Sequence, residues 1–324
     1  MTRASRSPGT RLRWTRSLAF ITVALALSAL PTQLVTAQNI ASTTFDQSIP
    51  PGANFDKAEF RLWLPPNVAT VRGIALLVPG SNGDGRAQVI DTVWQAFAVK
   101  HQFALIGVRF TDQPHEQNFL EDYINVSHGS GQTLLDAISA LGASTKHPEL
   151  ASAPMLLWGM SAGGQFNYEF VAWKPERVIA FVVNKGGVYY SALLPREARN
   201  VPGMLFVGGK DLEFRTNTIV GLFAVNRRAG ALWALAEEPG AAHIVGRSRD
   251  VAIPFYEDVL AIRHPPSHQS GPLLPMPDRG GYIGDLKQKT FQLLTDLPAP
   301  TVPTAWLPTE RVAKAWQAMM TSQP

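Results

Sequence analysis

Two kinds of hydrophobic pattern alternate along the chain. Short continuous apolar runs are typical of strands buried on both faces, and they lie at 73–78, 103–108, 154–158, 178–183, 204–207 and 231–236. Between them, apolar residues recur at helical spacing within 89–97, 132–141, 165–173, 219–228 and 250–263. This alternation predicts an α/β fold with a mostly parallel central sheet and helices on both of its faces.

Both ends of this region have a different character. Residues 38–56 are polar and rich in turn formers, which predicts a flexible lead-in, and the alternating segment 57–64 predicts an edge strand. Prolines become frequent beyond His264. We therefore expect one domain over 57–264, followed by a Pro-rich C-terminal extension, 265–324, that packs on the domain and ends in a short helix at 309–320.

The first 37 residues have the pattern of a secretory signal peptide. Five arginines precede an apolar run at 18–30, and small residues follow at Val35 and Ala37. The run is shorter than the apolar stretch that a transmembrane helix needs. We therefore expect cleavage after Ala37 and no stable membrane span afterwards, which predicts a secreted or periplasmic protein. An uncleaved amphipathic anchor is the alternative.

Removing residues 1–37 changes the charge. They contain five of the 29 Lys and Arg residues and none of the 25 Asp and Glu residues, so the remainder has a net charge of −1 rather than +4. A near-neutral chain gives no basic face for nucleic acid, which we do not expect as a partner. Cysteine is absent, which excludes disulfides, a thiol nucleophile and thiolate metal ligands.

The sequence Gly159-Met160-Ser161-Ala162-Gly163 lies between the apolar run at 154–158 and the helical pattern at 165–173. A Gly-x-Ser-x-Gly motif between a strand and a helix is typical of a nucleophile elbow, in which the serine sits on a tight turn. The helix after it directs free N–H groups and the positive end of its dipole toward the hydroxyl. Ser161 is therefore the candidate nucleophile, and a plain turn is the alternative.

Acid and histidine candidates follow later strands. Asp211 comes just after the run at 204–207, with Glu213 as a rival, and His243 lies between the last strand and the last helix of the sheet. His264 and His268 are rivals in the Pro-rich tail, and the other histidines precede the serine. The order Ser161, Asp211, His243 is that of one class of serine hydrolases.

A glycine-rich loop, 79–85, follows the first buried strand. The backbone N–H of Ser81 could act with that of Ala162 as a two-donor oxyanion hole. A flexible loop or a phosphate cradle is the alternative, although the loop lacks the Gly-Lys-Ser/Thr ending of a P-loop. Met160 and Tyr189 are candidate substrate-binding residues, although a core position is favoured for Met160. The sequence predicts no metal and no cofactor.

The segments 78–81, 159–164 and 208–211, together with His243, resemble the α/β-hydrolase superfamily. Within it the chain is similar to secreted esterases of the polyhydroxyalkanoate-depolymerase and feruloyl-esterase kind. The resemblance implies a triad of Ser161, Asp211 and His243, with Ser81 and Ala162 at the oxyanion hole. This chain differs from polymer-degrading relatives, which often carry disulfides and attached binding domains; it has neither.

We therefore expect a secreted serine hydrolase that cleaves carboxylic esters, small or oligomeric, through an acyl-enzyme. A serine peptidase or amidase of the same fold is one alternative. A non-catalytic exported binding protein on a hydrolase scaffold is the other. The sequence makes no prediction of the oligomeric state.

Overall fold

The computed structural model describes residues 44–115, 120–268, 271–277, 280–294 and 303–323. The predicted signal peptide, 1–37, lies outside these residues. Within the described ranges, no helix combines the length and the apolar content that crossing a bilayer requires.

An eight-stranded sheet lies at the centre of the fold, with the order β1-β2-β4-β3-β5-β6-β7-β8. Its strands are β1 (Thr44–Ile49), β2 (Lys57–Trp63), β3 (Gly73–Val78), β4 (Phe103–Thr111), β5 (Met155–Gly159), β6 (Val178–Asn184), β7 (Gly203–Gly208) and β8 (Trp233–Glu238). The strands from β3 to β8 run parallel, and β1 and β2 are antiparallel to their neighbours. The predicted α/β class and its mostly parallel sheet are confirmed.

Helices cover both faces of this sheet. They are α1 (Thr92–His101), α2 (Ser130–Thr145), α3 (Ala162–Trp173), α4 (Arg196–Arg199), α5 (Glu213–Arg228), α6 (Arg249–Arg263) and α7 (Glu310–Met320). Alternate side chains of β3 enter different apolar clusters: Leu76 lies in the same cluster as Phe166 of α3, and Leu77 in the same cluster as Phe255 of α6. Because both faces are buried, these strands appear in the sequence as continuous apolar runs.

The expectation of a flexible lead-in was wrong for residues 44–49. They form β1, which pairs with β2 in antiparallel register from Thr44 opposite Trp63 to Ile49 opposite Ala58. β2 is therefore not the edge strand that its pattern predicted. The side chains of β1 are exposed or partly buried, and a strand with so little apolar burial has no strong hydrophobic signal.

The Pro-rich extension is more regular than expected. β9 (Tyr282–Asp285), β10 (Thr290–Leu293) and β11 (Ala305–Leu307) form a small antiparallel sheet in the order β10-β9-β11. These strands have only three or four residues each, which is too short for a periodic pattern to stand out. The terminal helix, α7, begins one residue after Thr309, whose hydroxyl accepts a hydrogen bond from the N–H of Val312.

The extension packs beside β8, which is the last strand of the large sheet. The indole N–H of Trp316 donates to the carbonyl of Leu235 at 2.7 Å, and the N–H of Glu237 donates to the sulfur of Met320. Arg311 of α7 also forms ion pairs with Glu257 and Asp258 of α6.

Candidate active site

Ser161 occupies the turn between β5 and α3 with a φ of 55° and a ψ of −124°. Its N–H donates to the carbonyl of Asn184 at 2.8 Å, and the N–H of Gly163 closes the turn on the carbonyl of Met160 at 2.9 Å. A Cβ at Gly163 would lie 2.2 Å from the carbonyl oxygen of Val78. One at Gly159 would lie equally close to the carbonyl oxygen of Gly163. Glycine is therefore required on both sides of the serine, as the elbow motif predicts.

The structure brings Ser161, His243 and Asp211 together although they are far apart in sequence. Nε2 of His243 lies 2.9 Å from Oγ of Ser161, and Nδ1 lies 2.8 Å from Oδ2 of Asp211. An ionised carboxylate only accepts hydrogen bonds, so the ring must carry a proton on Nδ1 and can accept the serine proton at Nε2. Each residue follows the carboxyl end of a parallel strand, respectively β5, β8 and β7.

The carboxylate of Asp211 is almost completely buried, with 2% of its side chain exposed. Burial by itself would raise its pKa. The bonds from His243, the N–H of Leu212 and the guanidinium of Arg215 outweigh burial and hold the pKa of Asp211 below its ordinary value. The acid is therefore ionised at neutral pH and can orient the imidazole.

The rival residues lie elsewhere. Glu213 is exposed on the first turn of α5 and contacts Asn217. The ring of His264 is buried against the carbonyl of Arg72, and the ring of His268 faces the carbonyl of Pro272. None of the three is joined to Ser161 by a hydrogen bond.

The glycine-rich loop after β3 passes beside the elbow, where a Cβ on Gly80 would lie 3.5 Å from that of Ser161. The loop is closed by the Gly83 N–H on the Gly80 carbonyl at 2.9 Å and is joined to β4 by the Gly85 N–H on the Val108 carbonyl at 2.9 Å. Asn82 ties it to two other segments: its N–H donates to the Tyr123 hydroxyl at 3.1 Å, and its Oδ1 accepts the N–H of Asp112 at 2.7 Å. Within the described ranges, the N–H groups of Ser81 and Ala162 donate to no acceptor. Both donors are thus free for a negatively charged oxygen.

The two candidate substrate-binding residues differ. Met160 is partly exposed, and its sulfur lies beside Gly80 at the oxyanion loop. Tyr189 packs its ring on Tyr168 at 5.0 Å, and its hydroxyl is buried with no hydrogen-bond partner among the described residues. Burial raises the pKa of Tyr189 well above its ordinary value. The described contacts of Tyr189 are internal to the core and none reaches the serine.

Sequence reasoning missed three polar residues beneath the site: Asn184, Lys185 and Glu238. All three are buried at the carboxyl ends of β6 and β8, and Lys185 is joined to Glu238 at 3.0 Å. Polar residues immediately after two apolar runs were the available signal, because those ends meet at the edge that holds the serine.

Exposed apolar side chains adjoin two of the site residues. Leu212 and Phe214 follow Asp211, and Ile244 and Val245 follow His243. The described part of the chain has no group of three or more His, Cys, Asp or Glu side chains arranged to hold a metal ion.

No family model matches the sequence, and neither does any curated protein. Solved structures do match. A poly(3-hydroxybutyrate) depolymerase, LpqC, from Bordetella parapertussis has a TM-score of 0.52 at 16% identity, over 67% of this chain and 91% of its own. A ferulic acid esterase has a TM-score of 0.50 at 10% identity, over 68% of this chain and 97% of its own. At such low identity the likeness establishes the fold, and the chain has the α/β-hydrolase fold.

Proposed function

We propose that this protein is a serine hydrolase that cleaves carboxylic esters through an acyl-enzyme on Ser161. The observation that carries the proposal is the continuous hydrogen-bond path from the hydroxyl of Ser161, through the ring of His243, to the carboxylate of Asp211. The strained backbone of Ser161 supports it too, because a non-glycine residue is held at positive φ only where the surroundings require it.

In the first half of the reaction, Oγ of Ser161 attacks the ester carbonyl carbon while Nε2 of His243 takes its proton. The carbonyl oxygen becomes an oxyanion, which the N–H groups of Ser81 and Ala162 stabilise. Donors of this kind contribute about 3 kcal/mol each to the transition state. The intermediate collapses, the C–O bond to the alcohol breaks, and His243 returns the proton to the departing alkoxide oxygen.

In the second half, water replaces the alcohol. His243 takes a proton from this water, the hydroxide oxygen bonds to the acyl carbon, and a second oxyanion forms in the same place. Its collapse breaks the bond to Oγ, the serine regains its proton from His243, and the carboxylic acid leaves. Asp211 keeps its charge throughout and stabilises the imidazolium.

The same arrangement of Ser161, His243 and Asp211 can also cleave an amide, so ester and amide hydrolysis have to be distinguished by experiment. The name of one structural neighbour, a ferulic acid esterase, supports an ester substrate. The exposed apolar side chains beside Asp211 and His243 support a substrate with an apolar group rather than a charged one. Turnover of a p-nitrophenyl ester and a p-nitroanilide with the same acyl group compares the two activities directly.

The test of the proposal uses Ser161→Ala with Ser152→Ala as the matched control. Ser152 is exposed and its hydroxyl contacts only a nearby carbonyl. We expect Ser161→Ala to abolish p-nitrophenyl acetate hydrolysis and labelling by a fluorophosphonate probe, and Ser152→Ala to retain both. Full turnover by folded Ser161→Ala, or no labelling of the parent protein, would contradict the proposal. The second result would favour a binding protein on a hydrolase scaffold.

We also propose that the protein is exported and cleaved after Ala37. The five arginines and the apolar run of the first 37 residues support this. Amino-terminal sequencing of protein recovered from the periplasm or medium should begin at Gln38. An intact amino terminus in that fraction would favour the uncleaved anchor instead.

A further inference from the structure

The loop that carries His243, residues 239–248, is tied to the loop after β7 at its near end, where the carbonyl of Ala241 accepts the N–H of Lys210 at 2.9 Å. Beyond His243 its backbone has no such bond to another strand within the described residues. It connects β8 to α6, and residues 242 and 244–247 are exposed. Its internal backbone hydrogen bonds are short-range, such as that from the N–H of Ile244 to the carbonyl of Ala242. The imidazole nevertheless has to stay within hydrogen-bond distance of two side chains on other strands.

One group that holds this loop is the carboxylate of Glu238, at the end of β8. Its Oε1 accepts the N–H of Arg247 at 2.9 Å, nine residues further along the chain. Its Oε2 accepts from the ammonium of Lys185 at 3.0 Å, and the side chain of Lys185 has no exposed area. The carboxylate thus links the far end of the loop to the end of β6.

The second group is the side-chain amide of Asn184, the last residue of β6. Its Nδ2 donates to the carbonyl of Val245 at 3.1 Å and to the hydroxyl of Ser248 at 2.8 Å. Its Oδ1 accepts from the same ammonium of Lys185 at 3.2 Å. Because the backbone carbonyl of Asn184 also accepts the N–H of Ser161, this one residue is bonded to both the nucleophile's turn and the histidine's loop.

The backbone around this cluster is shaped to allow it. Lys185 is itself at positive φ, 52°, which is costly for a residue with a side chain. Gly246 is at a φ of 59°, and a Cβ there would lie 2.1 Å from Oε2 of Glu238. A buried ammonium and a buried carboxylate are costly to desolvate, and such pairs often add little stability compared with apolar side chains. Their presence here is therefore better explained by geometry than by stability.

We propose that Asn184, Lys185 and Glu238 are positioning residues that hold the loop of His243 against the nucleophile. Hereafter they are called the loop clamp. The clamp does not touch the substrate; it acts by fixing where Nε2 of His243 lies relative to Oγ of Ser161. Its effect on catalysis rests on the proposed function, whereas its effect on the loop does not.

The experiment compares Asn184→Ala with Asn226→Ala. Asn226 is a matched control because it is also completely buried and its amide also joins two segments, through the carbonyls of Ala192 and Leu222 and the N–H of Leu194. Both alanine variants remove a buried hydrogen-bonding amide and should be destabilised to a similar extent, but only one removes a bond to the histidine loop.

Two measurements are made at a temperature at which both variants are fully folded by circular dichroism. The first is kcat and KM for p-nitrophenyl acetate; the second is hydrogen–deuterium exchange of the peptide covering 239–248. We expect Asn184→Ala to lower kcat by about 10- to 100-fold at nearly unchanged KM, since small displacements of a catalytic group have effects of this size. Its loop amides should exchange faster, whereas Asn226→Ala should match the parent protein in both measurements.

An unchanged kcat in folded Asn184→Ala, or an equal loss of kcat in Asn226→Ala, would overturn the proposal. If the parent protein hydrolyses no ester, the proposed function fails. The loop clamp is then tested by hydrogen–deuterium exchange alone, and unchanged exchange of 239–248 in Asn184→Ala would refute it. If Asn184→Ala does not fold, Glu238→Gln takes its place. It keeps the size of the side chain but cannot accept from both Lys185 and Arg247, so the same loss of kcat and faster loop exchange are expected.

Discussion

The elbow that carries Ser161 and the loop that carries His243 are built in different ways. The elbow is a minimal turn between β5 and α3, and its shape follows from adjacent glycines and from bonds to the neighbouring β3 and β6. The histidine loop is longer and largely exposed, and it is held at its far end by the loop clamp.

This difference separates two ways of placing a functional group. In the elbow, steric exclusion leaves the backbone a single path, so changes there should damage folding. In the histidine loop, a few polar contacts select one arrangement from several, so changes there should damage activity before stability. The following predictions test this separation, from the largest expected effect to the smallest.

The largest effect concerns the group that orients the ring of His243 directly. Asp211→Asn keeps the shape of the side chain but favours the wrong tautomer of the imidazole. We expect kcat for p-nitrophenyl acetate to fall by about 10⁴-fold, as in other serine triads, with little change in melting temperature. Glu213→Gln is the control, because Glu213 is exposed and bonded only to Asn217. A comparable loss in that control would make Glu213 the acid.

At the elbow, Gly163→Ala should act on stability. The added methyl group would lie 2.2 Å from the carbonyl oxygen of Val78 and 2.5 Å from that of Pro79, and neither backbone can move without disturbing β3. We expect a loss of about 3 kcal/mol in the free energy of unfolding, measured by urea denaturation.

Gly221→Ala, also within a helix, is its control. Nothing lies within 4 Å of a Cβ there, so alanine should add about 0.5–1 kcal/mol of stability through its better helix propensity. A stable Gly163→Ala would show that the elbow is less confined than its backbone distances indicate.

In the histidine loop, Gly246→Ala should act mainly on activity. The new methyl group would displace the carboxylate of Glu238 and disturb a residue that requires positive φ. We expect kcat to fall about tenfold, an effect of about 1.4 kcal/mol on the activation free energy.

Gly230→Ala provides the comparison, since Gly230 is also at positive φ, 89°, but has open space around it. Backbone strain should cost each variant about 1 kcal/mol of stability. Displacement of the Glu238 carboxylate should add to the loss in Gly246→Ala, and only Gly246→Ala should lose activity. Equal kcat values in the two variants would contradict the role proposed for the loop clamp.

The smallest effect concerns α6, the helix that follows the histidine loop. Burial alone would raise the pKa of Glu257, but hydrogen bonds from Lys100, Arg311 and His101 lower it to about 2. Because the folded-state pKa is below the ordinary 4.5, the stabilisation is complete above pH 4.5 and is lost as the pH falls toward 2. The melting temperature of Glu257→Gln should therefore be lower than that of the parent protein at pH 7, and the difference should shrink as the pH falls from 4.5 toward 2.

At pH 7 we expect Glu257→Gln to lower the free energy of unfolding by only about 1 kcal/mol, because Lys100 and Arg311 are largely exposed. We expect its kcat to be unchanged. Glu310→Gln is the control, since it removes a carboxylate from a well-exposed pair with Lys314. A fall in kcat of Glu257→Gln would mean that α6 also positions the histidine loop.

The same contrast explains what could be predicted from the sequence. The elbow was recognisable because its glycines, strand and helix are adjacent in the chain. Asp211 and His243 were found from their order after successive strands, since parallel strands bring their carboxyl ends to one edge. The geometry supports those assignments; their catalytic roles remain proposals.

Long-range polar pairing was not predictable in this way. β1 has no apolar run of its own and is defined by its partner β2. The clamp joins residues more than fifty positions apart, Lys185 with Glu238 and Asn184 with Ser248, and none of them belongs to a recognised motif. Such contacts depend on the complete fold, whereas periodicity reports only local structure.

The contacts of α7 with β8 have a further consequence. β8 ends the large sheet, and its outward-facing backbone groups would be an open template for a strand from another molecule. Side chains of α7 occupy two of them: the carbonyl of Leu235 receives the indole of Trp316, and the N–H of Glu237 meets the sulfur of Met320. A helix thus takes the place of a ninth strand, and the extension covers this edge of the sheet against pairing with a strand of another molecule.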